Sequence, residues 1–382
     1  MATEKENSRR YYIKTYGCQM NVADSSKLAE VLEEYGYQRG ESEETADILL
    51  INTCVVRQGA EDRAAWYVMS SKGLKEKHPG VMIGLCGCIV NEPGRDIKKD
   101  FPHIDFFIPP HSPNKLKEFL SSLSHFPPSP LIRGKGTGDR GGVVGEGRHE
   151  DVTYITVMTG CNNYCSYCVV PYVRGPEVSR PMAEVLAEIE QVMNGGAKNI
   201  ILLGQNVNAY QYGLANLLEN IAFATKRRGS ESLRVGFLTS HPKDMSDEII
   251  ESAARFPFIA REFIMPLQSG DDAILEKMRR GYTLDYFRGR VNKLRELMPD
   301  VRLVSDLIVG FPGETDAQFE ATLRAVEEFR FSAVNMFAYS PRPETDAAKF
   351  PGQLSEEVRQ KRLKRLITLV RSTVKPRQSL VN

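Results

Sequence analysis

An α/β protein in two domains is predicted: a parallel α/β (Rossmann- or flavodoxin-like) domain over 11–120 and an open, partial (β/α)6 barrel over 151–378. Three observations predict it. Near-continuous apolar runs of about five residues alternate with helix-period segments, the pattern of parallel strands covered on both faces. The 382 residues exceed what one hydrophobic core usually holds. Between the two halves, Pro127, Pro128 and Pro130 precede Gly134, Gly136, Gly138, Gly141, Gly142, Gly145 and Gly147. Such a run cannot bury a core, so 121–150 is expected to be a flexible linker.

Composition narrows the class. Apolar residues make up 41% of the chain, enough for ordinary cores, and no apolar run reaches transmembrane length. Fifty basic against 49 acidic residues give a net charge of +1, so any RNA contact has to come from local patches. Seven cysteines without a secretory leader point to a reducing cytoplasm and to metal ligation rather than disulfides. The polar leader Met1 to Arg10 is expected to fray.

In the first domain, Tyr11 to Tyr16 reads as a strand, followed by Gly17-Cys18-Gln19-Met20-Asn21. A helix from about Asp24 to Tyr35 carries Leu28, Val31 and Leu32 at helical spacing. Asp47 to Ile51 is the second strand, ending on Asn52-Thr53-Cys54, and Gln58 to Lys77 a long helix stopped by His78-Pro79-Gly80. Val81 to Leu85 is the third strand, ending on Cys86-Gly87-Cys88. Cys18 to Cys54 is 36 positions and Cys54 to Cys88 is 34, one βα step each of roughly 30 or more residues. All three thiols therefore fall just past strand ends, the edge where open α/β sheets bind ligands. Scattered core cysteines are the bland alternative. Three thiols meeting at that edge could hold a [4Fe–4S] cluster with one iron left open. Cys86 falls in or at the end of its strand and reads as packing.

In the second domain, strands are predicted near 153–158, 199–203, 233–238, 261–265, 301–308 and 333–338, with helices such as Met182 to Met193 and Asp316 to Phe329 between them. Six βα units suit an open barrel better than a closed one of eight. Polar clusters follow the strands: Gln205-Asn206-Val207-Asn208, Thr239-Ser240-His241-Pro242, Gln268-Ser269-Gly270, Ser305-Asp306 and Tyr339-Ser340. Barrels of this kind place their chemistry on that rim. His241 is a candidate for orienting substrate. Glu314 suits the start of a helix, in a turn that reads as structural. Arg174, Arg180 and Lys198 are candidates for anionic groups, with solvated surface charge as the default. A basic helix from Val358 to Arg377 has Leu363, Leu366, Ile367 and Val370 as its apolar stripe. Its outward face, with Arg362, Arg365 and Lys375, is the candidate RNA contact; a plain solvated face explains it equally.

Right after the first barrel strand comes Cys161-Asn162-Asn163-Tyr164-Cys165-Ser166-Tyr167-Cys168, a C-x-x-x-C-x-x-C run. Three thiolates this close can hold three irons of a cube and leave the fourth without a protein ligand. Zinc wants four ligands, and no fourth Cys or His stands nearby.

This motif resembles the signature of the radical S-adenosylmethionine (SAM) superfamily, whose open iron chelates SAM and whose reduced cluster splits it to methionine and a 5′-deoxyadenosyl radical. The second domain is then a radical SAM barrel. Two three-cysteine sites, one per domain, resemble the methylthiotransferase family within it, from Tyr11 to about Arg377. The wording is similar to the MiaB type: Cys168-Val169-Val170-Pro171-Tyr172 with Arg174-Gly175, Glu177 to Pro181, Leu203 to Tyr210, Thr239 to Pro242, Pro266 to Gly270, and Val309 to Thr315. The resemblance implies that Cys18, Cys54 and Cys88 hold an auxiliary [4Fe–4S] cluster and Cys161, Cys165 and Cys168 the SAM cluster. Arg174, Gln205, Ser240, Gln268 and Ser305 are candidate cofactor contacts. It implies methylthiolation of C2 of N6-isopentenyladenosine beside the tRNA anticodon, with two SAM, in the cytoplasm. An electron donor and a sulfur or iron–sulfur cluster supplier are implied partners, and no membrane is. The sister types act on threonylcarbamoyl-adenosine in tRNA or on a ribosomal-protein aspartate. The chain departs from the family in its long glycine-rich linker, and ends at Asn382 where the family's small RNA-binding β-barrel (the TRAM domain) would begin.

The chemistry fits two clusters. C2 of adenine is an aromatic C–H with neither an acidic proton nor a leaving group, so a radical is needed, and cofactors supply it. A non-enzymatic electron-transfer protein would want fully cysteine-ligated clusters, and neither site offers a fourth cysteine. An RNA-binding module draws little support from the neutral charge.

Two cubes per chain, roughly eight irons, are expected after anaerobic reconstitution. Changing Cys161, Cys165 and Cys168 together to Ala should leave one cube by iron analysis. No iron, or both cubes, in that variant overturns the partition.

Overall fold

A computed structural model describes residues 9–56, 58–123, 144–145, 152–228 and 233–374. The chain divides into two compact units, Met1–Glu150 with Tyr172–Arg174, and Asp151–Pro171 with Gly175–Asn382.

The first unit contains β1 (Arg10–Thr15), α1 (Gln19–Glu34), β2 (Gln38–Arg39), β3 (Ile48–Thr53), α2 (Gln58–Lys77), β4 (Met82–Gly87), α3 (Ile97–Asp100), β5 (Phe106–Ile108), α4 (Pro113–Ser122) and β6 (Val144–Gly145). Every strand pair is parallel, in the order β2-β1-β3-β4-β5, with β6 also beside β1. This is the flavodoxin-like order, whose direction of travel reverses between β1 and β3. All six residues of β3 are buried, as a strand covered on both faces must be. One face packs Ile48 and Leu50 with Tyr11, Ile13, Leu28, Leu32, Phe106 and Leu116.

Register aligns the strand ends. Thr15 pairs with Asn52, and Asn52 with Cys86. Cys86 therefore stands in the row of Asn52, inside the sheet, while Cys54 and Cys88 both lie two residues beyond that row. Helix α1 starts earlier than the expected Asp24, because Cys18 and Asn21 form a capping box at its first turn. Strand β5 and helix α4 were not anticipated. Most of the expected linker lies outside the described residues; Ser121 and Ser122 end α4.

The second unit contains β7 (Val152–Thr156), β8 (Met158–Thr159), α5 (Val170–Arg174, its last three residues grouped with the first unit), β9 (Val178–Ser179), α6 (Met182–Asn194), β10 (Asn199–Leu203), α7 (Leu214–Arg228), β11 (Arg234–Leu238), α8 (Asp247–Arg255), β12 (Glu262–Ile264), α9 (Asp272–Lys277), α10 (Leu284–Leu297), β13 (Arg302–Val309), α11 (Asp316–Phe329), β14 (Ala333–Ala338) and α12 (Glu356–Thr373). Six of these strands form two parallel sheets, β7-β10-β11 and β12-β13-β14, linked by a bridge from Val235 to Ile259. All six coincide with expected strands and make the partial barrel. The first is shorter than expected. Val157 still donates to Leu203, but Met158 and Thr159 leave the barrel to pair antiparallel with Val178 and Ser179.

The tail helix α12 corrects one expectation. Arg362 does not face outward: it is buried, with Nη1 donating to Glu314 Oε2 at 2.7 Å and Nη2 to Asp316 at 2.7 Å. Glu314 Oε2 also accepts from Gly310 N at 2.7 Å, so the Phe311-to-Thr315 turn is structural. Arg359 donates to Tyr339 O, and Arg365 pairs with Glu320 while staying half exposed. Three arginines of the basic face thus hold the helix down. Lys375 lies outside the described residues.

Arg362→Ala would leave the Glu314 carboxylate buried and unpaired, a loss of about 3–5 kcal/mol by the measure of broken buried pairs. Chemical denaturation should show that loss, and adding Glu314→Gln should recover part of it. A loss well under 1 kcal/mol, the level of a surface pair, would refute the buried reading.

Candidate metal centres

In the first unit the thiols of Cys18, Cys54 and Cys88 meet, with Cys54 in hydrogen-bond contact with each of the other two. Each is placed by its strand end. Cys18 caps α1, where the helix N-terminus favours negative charge. Gly17 is required beside it: a Cβ there would lie 2.5 Å from Asn21 Oδ1 and 2.8 Å from Cys54 Cβ. Gly87, at φ +91°, would bring a Cβ within 2.4 Å of Asn52 Oδ1 and Thr53 O. Beneath the thiols, Asn21 Nδ2 donates to Asn52 Oδ1 and Thr53 O, and Asn52 Nδ2 donates to Asn21 O and Ser25 Oγ. This buried, fully paired network ties α1 to β3 and leaves the cysteine loops little freedom.

Charge at the site is uneven. Contact with Cys54 and burial hold the Cys18 thiol well above its usual range. Cys54 is pulled down by Cys18 but raised on balance by Cys88 and burial. Cys88 is lowered, first by Cys54 and, against burial, by Arg174. The Arg174 Nε donates to Cys88 Sγ at 3.1 Å, its Nη2 lies 3.3 Å from Asp24 Oδ2, and its Nη1 meets His111 Nε2. Arg174 was expected at SAM; it stands instead in the first unit, on a cysteine. Cys86 packs among Ile48, Leu50, Phe106 and Ile108, and burial pushes its thiol far up.

In the second unit Cys161, Cys165 and Cys168 share the loop between β8 and β9. The loop is closed by Cys161 N to Gly175 O and by Asn162 and Glu177 each donating a backbone N–H to the other's side chain. A Cβ on Gly160, at φ +76°, would sit 1.9 Å from Pro176 O. Gly160 N donates to Gln205 Oε1 at 2.5 Å, so Gln205 supports the loop. Burial and the neighbouring Cys165 push the Cys168 thiol up to about 12, and burial raises Cys161. Arg280, which sequence reasoning missed, is buried against Cys165, Nη1 to Sγ at 3.2 Å. An Arg-Arg pair after a helix looks like ordinary surface, so no local signal could have found it.

Among the described residues, no group of three His, Cys, Asp or Glu side chains is arranged for a single metal ion. A cube instead gives each thiolate its own iron. Both thiol sets fit that demand: three sulfurs without a fourth, largely buried, with a guanidinium donating to one of them.

The barrel rim sorts into spent and unspent groups. Ser305 is engaged within the barrel, with Oγ donating to Met265 O at 2.9 Å and accepting from Leu267 N at 3.0 Å. Arg180 is taken by Glu188 and Thr156 O. Ser240 Oγ, His241 Nε2, Gln268 Oε1 and Asn208 Oδ1 are buried without a hydrogen-bond partner among the described residues, against the general rule. Thr239 and Gln268 are held at φ +69° and +70°, conformations costly for such residues and common where a ligand is clamped. His241 Nδ1 accepts from Lys243 N, which leaves its proton on Nε2. Burial, with Arg280 and Lys243 nearby, lowers its pKa to about 2, so it is a neutral donor rather than a base.

Residues 155–326 match the family described as the Radical SAM superfamily, and 10–109 the one described as Uncharacterized protein family UPF0004. The radical S-adenosylmethionine methyltransferase TsrM from Kitasatospora setae superposes at a TM-score of 0.67 over 89% of this chain and 77% of its own, at 15% identity. The radical enzyme OxsB superposes at 0.59 over 97% of this chain and 58% of its own, at 12% identity. At such identity these show the fold alone. The barrel, its cysteine loop and the matched family together define a radical SAM enzyme.

Closer relatives refine this. Proteins named tRNA-2-methylthio-N(6)-dimethylallyladenosine synthase match from Syntrophotalea carbinolica (38% identical, 94% of this chain, 83% of the relative), Geotalea uraniireducens (39%, 94% and 82%) and Clostridium botulinum (40%, 94% and 81%). The chain belongs to this family of radical SAM methylthiotransferases.

Cys86→Ala should keep the full iron content, whereas Cys88→Ala should lose the iron of the first unit. The reverse pattern in an iron assay would exchange their roles.

Proposed function

We propose that the protein installs a methylthio group at C2 of N6-isopentenyl (dimethylallyl) adenosine beside the anticodon of tRNA, using two SAM and an auxiliary [4Fe–4S] cluster. The observation that carries this is the pair of separate three-thiol sites in a chain of this family, neither with a fourth cysteine. Cys18, Cys54 and Cys88 would hold the auxiliary cluster, and Cys161, Cys165 and Cys168 the one that binds SAM. When bound, these groups supply the electron that cleaves SAM and the sulfur that reaches the base. The protein's own part is to position and to desolvate. Ser240, Gln268 and the His241 Nε2–H are, with Asn208 Oδ1, unspent polar groups of the rim, and these three are assigned to SAM or the base. Gln205 acts through the loop backbone. A tRNA phosphate would have to compete with Glu320 for Arg365, while Lys361, Lys364 and Arg371 stay exposed on α12. An electron donor and a sulfur supplier complete the cycle.

Changing Cys18, Cys54 and Cys88 to Ala should preserve reductive cleavage of SAM to 5′-deoxyadenosine and methionine while abolishing the methylthio product. Nucleoside mass spectrometry after anaerobic incubation with isopentenylated tRNA reads both. A soluble variant that cleaves no SAM, or that still methylthiolates, overturns the division of labour; wild-type activity only on threonylcarbamoylated tRNA overturns the substrate.

A further inference from the structure

Arg280 is a buried cation with no carboxylate partner among the described residues. Its Nη1 donates to Cys165 Sγ at 3.2 Å and to Tyr167 Oη at 3.4 Å, its Nη2 to Pro266 O at 3.1 Å, and its Nε to Tyr282 Oη at 3.3 Å. Only 4% of the residue is exposed. A charge removed from water this completely is strongly disfavoured unless an opposite charge faces it. Neither tyrosine supplies that charge. The Tyr282 hydroxyl is committed as a donor to Pro266 O and Leu267 O, and burial holds both phenols above their usual range. The remaining partner is Cys165. A cluster held at that sulfur would bring the negative charge that offsets the guanidinium's desolvation.

The chain is built to deliver this one side chain. Helix α9 ends under the cysteine loop, where Ser166 donates its N–H to Met278 O and its hydroxyl to Lys277 O at 2.7 Å. Arg279 and Gly281 then take φ +57° and +67°, two left-handed residues flanking Arg280. The reversal sends Arg279 out to Asp346 and Arg280 in to the sulfur.

We propose that Arg280 is a positioning residue for the second-unit centre: its charge, hydrogen-bonded at Cys165 Sγ, raises the reduction potential of the cluster that those cysteines would hold. Reduction adds one negative charge to a buried group, and a fixed cation hydrogen-bonded to a ligand sulfur favours the more negative state. Sulfur hydrogen bonds and local charge are recognised levers on such potentials. The role rests on the assignment of Cys161, Cys165 and Cys168 as cluster ligands.

The test uses the full chain with Cys18, Cys54 and Cys88 changed to Ala, so that the remaining electron paramagnetic resonance signal belongs to the second unit. Arg280→Gln, keeping its iron, should lower the reduced-to-oxidised ratio about tenfold at a fixed solution potential, equal to 59 mV for a one-electron couple. Arg280→Lys keeps the charge and should fall between Gln and the parent. An unchanged ratio in the iron-loaded Gln variant overturns the proposal. So does loss of iron from both variants, which would make Arg280 a loop staple. No second-unit signal in the parent, before Arg280 is touched, would sink the cluster assignment instead.

Discussion

A buried sulfur that takes on negative charge needs a compensating charge or donor, and both cysteine sites are supplied with one. Each cysteine set has a buried guanidinium on one sulfur, Arg174 on Cys88 and Arg280 on Cys165. The two arginines are handled differently. Arg174 shares its charge with Asp24, 3.3 Å away, and meets His111, which itself bonds to Asp24. Among the described residues, Arg280 meets only neutral groups besides the sulfur. The first arrangement keeps an anion beside its cysteines and dilutes the cation's pull; the second leaves the full charge for the sulfur.

Legibility in the sequence followed range. Spacing alone placed α2 at Gln58–Lys77 and α11 at Asp316–Phe329, because caps and stops are local. The six barrel strands were legible for the same reason. Helix α1 was placed late because Asn21 looked like loop; its role appears only once Asn52 stands across from it, 31 positions away. The cysteines were legible because one set shares a loop and the other repeats with the βα unit. Arg280 is 115 positions from Cys165, and nothing in its neighbourhood announces the contact.

Polar residues on the rim show a second limit. Ser240 and Ser305 look alike in the sequence, each in a short polar cluster beside an apolar run, although Ser240 follows β11 and Ser305 lies inside β13. Only the backbone around them decides which is available. Ser305 is consumed by Met265 O and Leu267 N, so it stitches β13 to the segment after β12. Ser240 keeps its hydroxyl unspent beside a threonine strained at φ +69°. The same logic removed Arg362 from the basic face: its sequence neighbours are solvated, but the buried Glu314 claims it.

The two sets also reach convergence by different routes, and that bears on how each centre couples to folding. Cys161, Cys165 and Cys168 lie on one short loop, so their approach needs only the β8–β9 closure and the end of α9 beneath it. Cys18, Cys54 and Cys88 come from three strands and meet only when β1, β3 and β4 are in register. Metal binding is folding free energy wherever the site does not pre-exist in the unfolded chain. For the loop that free energy would order the one segment between β8 and β9. For the sheet it is spread over the whole unit, and the Asn21–Asn52 network, which sets the register without metal, is what keeps the three thiols together beforehand.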